Sequence, residues 1–168
     1  MKPIGLFYSF NTRHTSDAAD HIARELGEKN VDKINIETIE DKVFLAYPYM
    51  ILGVSTWFDG ELPNYWDEFL PAMEDMDFSG KSVAIFGPAD QVGYPQNFAD
   101  GVGILSRFLK DRGAAIVGHF PAADYHFIRS RALEGDHFTG LVLDYANQPE
   151  LTEKRIREWC AELKKVFI

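Results

Sequence analysis

Short runs of apolar residues alternate with stretches of helical spacing along most of the chain. Ile4 to Tyr8 is apolar throughout, as in a strand that is buried on both faces. The apolar positions from Ala18 to Leu26 then recur at helical spacing before Gly27. This pattern predicts one unit of strand, loop and helix.

The same alternation continues toward the C-terminus. Further strands are predicted at Ile34 to Glu37, Tyr49 to Val54, Ser82 to Gly87 and Ala114 to Phe120. Helical patterns are found at Lys42 to Ala46, Tyr65 to Met73, Phe98 to Arg112 and Thr152 to Phe167. Apolar strands that alternate with helices are typical of a parallel sheet covered on both faces, with right-handed crossovers. The predicted fold class is therefore α/β, doubly wound.

One segment departs from this alternation. Residues Pro121 to Gln148 are aromatic and polar without a helical pattern, and Phe138 to Tyr145 within them is predicted to form further strand. We interpret the segment as an insertion that interrupts the last strand and then rejoins it. Because no repeat, low-complexity tract or linker is present, we expect one domain over residues 1–168.

Composition and charge limit the classes of function. The chain has 168 residues, of which 46% are hydrophobic, and a net charge of −9. Nucleic acids are bound through a surplus of Lys and Arg, so a nucleic-acid partner is excluded and a basic protein partner fits better.

The location of the protein is also constrained. The sole cysteine, Cys160, cannot form a disulfide within the chain, and the apolar run at the N-terminus is too short for a signal peptide. No stretch approaches the roughly 20 apolar residues of a membrane span. We expect a cytoplasmic monomer that does not interact with membranes.

The loop after the first strand contains no glycine, although a phosphate-binding loop is expected there. Ligands of open parallel sheets bind beyond the carboxyl ends of the strands, where the strand order reverses. Asn11, Thr12 and Thr15 offer side-chain donors just before a predicted helix N-terminus, a combination that suits a phosphate. Ordinary capping of the helix by Thr12 or Thr15 is the alternative.

Two other loops at the same edge carry aromatic residues. Trp57 lies in Ser55 to Pro63, and Tyr94 lies in the glycine- and proline-rich stretch from Gly87 to Phe98. Each ring could simply pack on its own loop. Together with a phosphate loop, however, they suit a flat, phosphorylated ring system.

These stretches together resemble the long-chain flavodoxins over nearly the whole chain. The resemblance is carried by IGLFY (Ile4 to Tyr8), Thr12 and Thr15 with the helix after them, STW..GELP (Ser55 to Pro63), WDEFLP (Trp66 to Pro71), DFSGK (Asp77 to Lys81), DQVGYP (Asp90 to Pro95) and the insertion from Asp124 to Gln148. It implies strand order 2-1-3-4-5, FMN as cofactor, and a low-potential electron carrier rather than an enzyme. It further implies redox proteins as partners, namely a donor of the ferredoxin/flavodoxin–NADP reductase type and a low-potential acceptor.

The resemblance also assigns site residues. Asn11, Thr12 and Thr15 would hold the phosphate, Trp57 and Tyr94 would cover the two faces of the isoalloxazine, and Asp90 with its neighbours would meet its pyrimidine edge. The peptide around Phe58 and Asp59 would face flavin N5. The full set of expected cofactor-binding residues is Ser9, Phe10, Asn11, Thr12, Arg13, His14, Thr15, Ser55, Thr56, Trp57, Phe58, Asp59, Gly60, Pro88, Ala89, Asp90, Tyr94 and Asn97. No metal site and no catalytic residue is expected.

The first loop departs from the family pattern, which usually has Gly at Ser9, Ser or Thr at Phe10, and Gly at Arg13; Ala89 also replaces a common Gly. Phe10 removes a hydroxyl donor, at a cost of roughly 1.5–3 kcal/mol for one hydrogen bond to a charged group. Arg13 and His14 are candidates to replace it, because cations in the first turn of a helix are unfavourable unless an anion is bound. The alternative is that both side chains face solvent.

A run of acidic residues follows the Trp57 loop. It consists of Asp59, Glu61, Asp67, Glu68, Glu74, Asp75 and Asp77. Such a run is often only a solvated face, but beside a redox centre it can steer basic partners.

Three classes of function remain open on the sequence. The first is an FMN-dependent electron carrier. The second is a flavodoxin-like binding or regulatory module with weakened or lost FMN binding. The third is a flavin-dependent quinone reductase, which would need a pyridine-nucleotide site, and no second glycine-rich phosphate loop is visible.

Overall fold

A central parallel sheet organises the chain, and the computed structural model describes residues 1–168. The strands are β1 (Ile4–Tyr8), β2 (Val31–Asn35), β3 (Tyr49–Gly53), β4 (Ser82–Pro88), β5 (Ala115–Val117), β6 (Phe120–Pro121), β7 (Leu133–Glu134), β8 (His137–Phe138) and β9 (Leu141–Leu143). The α-helices are α1 (His14–Leu26), α2 (Asp41–Phe44), α3 (Asn64–Asp67), α4 (Leu70–Glu74), α5 (Asp100–Lys110) and α6 (Thr152–Phe167). Short 3-10 helices lie at Glu28–Asn30, Ile36–Thr38 and Pro149–Leu151.

The strand order is β2-β1-β3-β4-β5, and every pair in this sheet is parallel. The fifth position is shared by two short strands. The first residues of β4 pair with β5, whereas Phe86 to Pro88 of β4 pair with β9. Between them, β6, β8 and β7 form a small antiparallel sheet. Both the predicted strand order and the interruption of the last strand are confirmed.

Several predicted boundaries were wrong. The second strand is Val31–Asn35 rather than Ile34 to Glu37, because β2 pairs with β1 from Ile4↔Val31 to Tyr8↔Asn35 and the chain then turns into a 3-10 helix. The fifth strand does not run from Ala114 to Phe120. It ends at Val117, because Gly118 takes a left-handed φ of 76°.

Two helices also differ from the prediction. The pattern at Tyr65 to Met73 forms α3 and α4 instead of one helix, since Pro71 lacks the N–H that a continuous helix would require. The helix predicted from Phe98 begins at Asp100, because Ala99 is left-handed with φ 55°. The helix predicted at Lys42 to Ala46 is the shorter α2, and α6 matches its predicted bounds.

Helices cover both faces of the sheet. In one core cluster, α1 and α6 pack with Leu6 and Tyr8 of β1. In the other, the helices from α2 through α5 pack with Phe7, so consecutive residues of β1 lie in opposite clusters. Cys160 lies in the first cluster, where burial raises the pKa of its thiol to about 12. None of the helices has the length and apolarity that crossing a membrane requires.

Candidate functional site

The loop after β1 folds back on itself before α1 begins. Thr12 donates through its hydroxyl to the carbonyl of Ser9 over 2.8 Å, and the Asn11 amide donates to Ser9 Oγ over 3.2 Å. Ser9 itself is buried, whereas Asn11 is exposed. These local bonds fix a tight loop without glycine.

The N-terminus of α1 has no side-chain cap. Arg13 occupies the N-cap position, and no side chain accepts from the first amides of the helix. The Thr12 hydroxyl lies 3.2 Å from Ser16 Oγ, and Thr15 is buried with its methyl group close to Gly53. The interpretation that Thr12 or Thr15 only caps the helix is therefore wrong. The first amides of α1 thus have no side-chain acceptor, and they carry the partial positive charge of the helix N-terminus.

The three unusual side chains of this loop differ in their surroundings. Arg13 is exposed and its guanidinium makes no hydrogen bond or ion pair within the chain, so its charge is available to an anion. The His14 ring stacks on Tyr145, with centroids 4.4 Å apart, and does not project freely. Phe10 is 48% exposed and lies against Tyr8.

Two residues that were not predicted complete the loop, namely Asn35 at the end of β2 and Glu37 in the 3-10 helix that follows. Asn35 Oδ1 accepts from the amide of Phe10, at 3.3 Å. The Glu37 carboxylate accepts from Ser9 Oγ and from Asn11 Nδ2, which lies 3.3 and 3.2 Å from its two oxygens. The expected site residues all lie in or next to the loops that follow the first, third and fourth strands. Asn35 lies beside Tyr8 through the β1–β2 register, which is decided only in the folded chain.

The second loop is a tight hairpin. Trp57 and Glu61 exchange backbone hydrogen bonds of 2.8 and 2.7 Å, and Phe58 at its tip takes a left-handed φ of 48°. Gly60 is required there, because a Cβ would lie 2.4 Å from Asp100 Oδ2. The hairpin therefore holds Trp57, 36% exposed, and Phe58, 72% exposed, at the carboxyl edge.

Polar contacts attach this hairpin to the rest of the fold. The Ser55 hydroxyl lies 3.2 Å from the hydroxyl of Tyr65. The Thr56 hydroxyl accepts from the Gly101 amide at the start of α5, at 2.9 Å. Both side chains are thus used to position the loop.

The third loop is shaped by Asp90. Its carboxylate accepts from the amides of Gly93 and Val92 and from Asn147 Nδ2, at 2.8, 3.1 and 2.7 Å. These hydrogen bonds hold the pKa of Asp90 below its usual value, and the bond from the Gly93 amide contributes most. The turn leaves the Tyr94 ring 59% exposed.

Gln91 connects the third loop to the insertion, a role that the sequence did not reveal. Its amide and its Nε2 both donate to Oδ2 of the buried Asp144, at 3.0 and 2.7 Å. Its Oε1 accepts from the His126 amide at 2.6 Å. The Pro95 carbonyl in the same loop accepts from the amides of Ile128 and Arg129. The insertion is therefore hydrogen-bonded directly to the segment that carries Tyr94.

The residues present fit FMN at two of its ends. An uncapped helix N-terminus, hydroxyl groups and an unpaired guanidinium suit a phosphate dianion, and two exposed aromatic rings on separate loops suit the isoalloxazine. Glu37 is the exception, because a carboxylate repels a phosphate. No group of three or more His, Cys, Asp or Glu side chains could hold a metal ion.

Comparisons with known proteins show the family of the chain. The family model described as Flavodoxin matches residues 6–159. A flavodoxin of Synechocystis is 42% identical over 168 residues, covering 99% of both chains. Flavodoxin 1 of Escherichia coli is 40% identical over 166 residues, covering 98% of this chain and 94% of that protein.

A solved structure gives the same result. The crystal structure of Fusobacterium nucleatum flavodoxin bound to flavin mononucleotide superposes with a TM-score of 0.92, at 32% identity, over 100% of both chains.

The contacts of Gln91 lead to a prediction about the third loop. Replacing Gln91 by Leu leaves the His126 amide without an acceptor and removes a charge-assisted bond to Asp144, so the free energy of unfolding should fall by about 2 kcal/mol. Urea denaturation measures this, and amide hydrogen exchange should become faster in residues 91–94. Gln96→Leu is the control, because Gln96 is exposed and its side chain makes no hydrogen bond. An equal loss of unfolding free energy in the two variants would contradict the role of Gln91 in holding the third loop to the insertion.

Proposed function

The chain belongs to the flavodoxin family, and from this premise we propose which of its residues bind FMN and which meet its redox partners. The protein is an FMN-binding electron carrier. When bound, FMN supplies the reversible uptake and release of electrons, and the chain's own residues hold it, shape its surroundings and present it to partners. Family membership thus selects the electron carrier over the regulatory module and the quinone reductase.

The observation that carries the site assignment is the meeting of an uncapped helix N-terminus with two loops that expose aromatic rings. In our proposal the amides at the start of α1 bind the phosphate with Asn11, Thr12 and Thr15. Arg13 adds the charge-assisted donor that Phe10 cannot supply, because its guanidinium is exposed and has no partner.

Trp57 and Tyr94 enclose the ring in the same proposal. They lie on the hairpin after β3 and on the loop after β4, which are neighbouring strands, so the two aromatic rings are offered from adjacent loops. The strained Phe58 at the hairpin tip sets the peptide to Asp59 that is to face flavin N5. The amides around Asp90 are assigned to the pyrimidine edge.

Several other expected residues position the second and third loops. Ser55 and Thr56 anchor the hairpin, and Gly60 permits its close approach to α5. The Ala89 amide donates to the Leu143 carbonyl at 2.9 Å, and the Asn97 amide to the Tyr94 carbonyl at 3.4 Å. Together with Pro88 at the end of β4, they define the base of the third loop. We also propose that the whole chain acts as one domain around this site.

The partners are redox proteins, and we infer that they dock through basic surfaces. All seven carboxylates from Asp59 to Asp77 are exposed, and none forms an ion pair within the chain. Because they begin in the Trp57 hairpin, their field lies next to the proposed flavin position. A reductase of the ferredoxin/flavodoxin–NADP type is the expected donor.

We expect Trp57→Ala and Tyr94→Ala each to weaken FMN binding by about 1 kcal/mol or more, because each removes a stacking face. Both should also shift the reduction potentials. Fluorescence titration and potentiometry measure the two effects. Val92→Ala, which changes an exposed side chain of the Tyr94 loop, serves as the control. Unchanged affinity and potentials in both aromatic variants would show that these loops do not cover the ring.

Arg13→Ala should weaken FMN binding by roughly 1–3 kcal/mol through loss of a charge-assisted hydrogen bond. Riboflavin, which lacks the phosphate, should bind nearly as before. In a Phe10→Thr background the same change should cost less, because two donors would then serve overlapping phosphate oxygens. The measurement is a double-mutant cycle of titrations with both flavins. Strict additivity, or equal losses for the two flavins, would mean that Arg13 only faces solvent.

The rate of electron transfer from a ferredoxin/flavodoxin–NADP reductase should fall steeply as ionic strength rises, since salt screens steering between opposite charges. Asp59→Asn combined with Glu61→Gln should lower the rate at low salt and flatten this dependence. Stopped-flow kinetics measures it. Glu150→Gln with Glu153→Gln removes the same charge just before and at the start of α6 and should have a smaller effect. A rate that does not depend on salt would remove the steering role.

A further inference from the structure

One contact that the proposed function leaves unexplained involves Glu37. Its carboxylate accepts hydrogen bonds from Ser9 Oγ and Asn11 Nδ2, two donors of the glycine-free loop. Asn11 Nδ2 lies within 3.3 Å of both carboxylate oxygens. An acidic side chain thus takes the donors that a phosphate in this loop would use.

The fold places Glu37 there for a clear reason. Parallel pairing of β2 with β1 sets Asn35 opposite Tyr8, the last residue before the loop. Asn35 then accepts from the Glu37 amide at 3.3 Å and starts the 3-10 turn Ile36–Thr38. This turn directs the chain at Glu37 back toward Ser9.

No cation holds the carboxylate in this position. Glu37 is exposed and forms no ion pair with any Lys, Arg or His, so its partners are the two neutral donors of the loop. A hydrogen that Ser9 or Asn11 donates to Glu37 is not available to any other acceptor. A phosphate also accepts only, and it carries the same sign of charge, so the two anions compete for the donors and repel each other.

The carboxylate has space in which to move. An open cleft of about 310 Å³ adjoins it, and its lining includes Asn64, Tyr65 and Glu68. Because Glu37 is exposed, its side chain can turn from the loop into this cleft without disturbing the core.

We propose that Glu37 is a specificity-determining residue, an internal competitor whose carboxylate must leave Ser9 and Asn11 when the loop binds the phosphate of FMN. This inference rests on the proposed phosphate role of the loop. Glu37 thereby lowers the preference for FMN over riboflavin and opposes the attraction supplied by Arg13 and the helix N-terminus.

The test compares Glu37→Gln and Glu37→Ala with the wild-type chain in titrations with FMN, riboflavin and inorganic phosphate. Both variants remove the anion, so FMN should bind about tenfold tighter, as expected for replacing a charged hydrogen-bond competitor by a neutral one or none. Inorganic phosphate, followed through the rise in thermal midpoint, should also bind tighter. Riboflavin affinity should stay within about twofold, because it presents no phosphate to the loop.

Glu68→Gln is the matched control. It removes the same charge from the same cleft, but Glu68 contacts no donor of the loop. A gain in FMN affinity equal to that of Glu37→Gln would show a general effect of charge and overturn the competition. Unchanged or weaker FMN binding in both Glu37 variants would also overturn it, provided that urea denaturation shows them folded.

A Thr12→Val variant separates this inference from the function on which it rests. If Thr12→Val weakens FMN but not riboflavin while the Glu37 variants change nothing, the loop binds phosphate and the inference about Glu37 is wrong. If Thr12→Val affects both flavins equally and inorganic phosphate does not bind, the phosphate role of the loop fails, and the inference fails with it.

Discussion

The parallel pairing of β1, β3 and β4 is the constraint on which the rest of the structure depends. These strands are buried on both faces, so their apolar side chains fix which residue pairs with which. Since all three point the same way, the loops that follow them must meet at one edge of the sheet. If β1 shifted its pairing by one residue, Phe7 and Leu6 would exchange between the two core clusters, and the loop after β1 would be displaced as well.

The edge is then made rigid by polar contacts between distant parts of the chain. The Trp57 hairpin is closed by its own backbone bonds and anchored to α5 through Thr56. The Tyr94 loop depends on Gln91, which bonds to Asp144 and to the backbone of the insertion. The insertion therefore supports the Tyr94 loop as well as completing the sheet. The contacts of the two loops together give two exposed aromatic rings a defined position before any ligand arrives.

Opposite charges flank the loop after β1, and in our proposal their balance sets how strongly the loop attracts a phosphate. Arg13 and the uncapped start of α1 favour an anion, whereas Glu37 already uses two of the loop's donors. A loop without glycine can bind through side chains where other loops use backbone amides, but side-chain donors are also open to side-chain acceptors. In the proposed site, affinity for the phosphate therefore depends on residues from two separate segments.

The sequence by itself determined the fold class, the helix at Thr152–Phe167 and the edge of the sheet at which the expected ligand loops lie, because apolar periodicity and loop chemistry are local signals. The strand order followed from the family resemblance. It could not set the end of β2, since register is decided by the partner strand. Glu37 and Gln91 escaped prediction for the same reason. Their partners are 28 and 53 residues away, and only tertiary packing brings those groups within hydrogen-bonding distance.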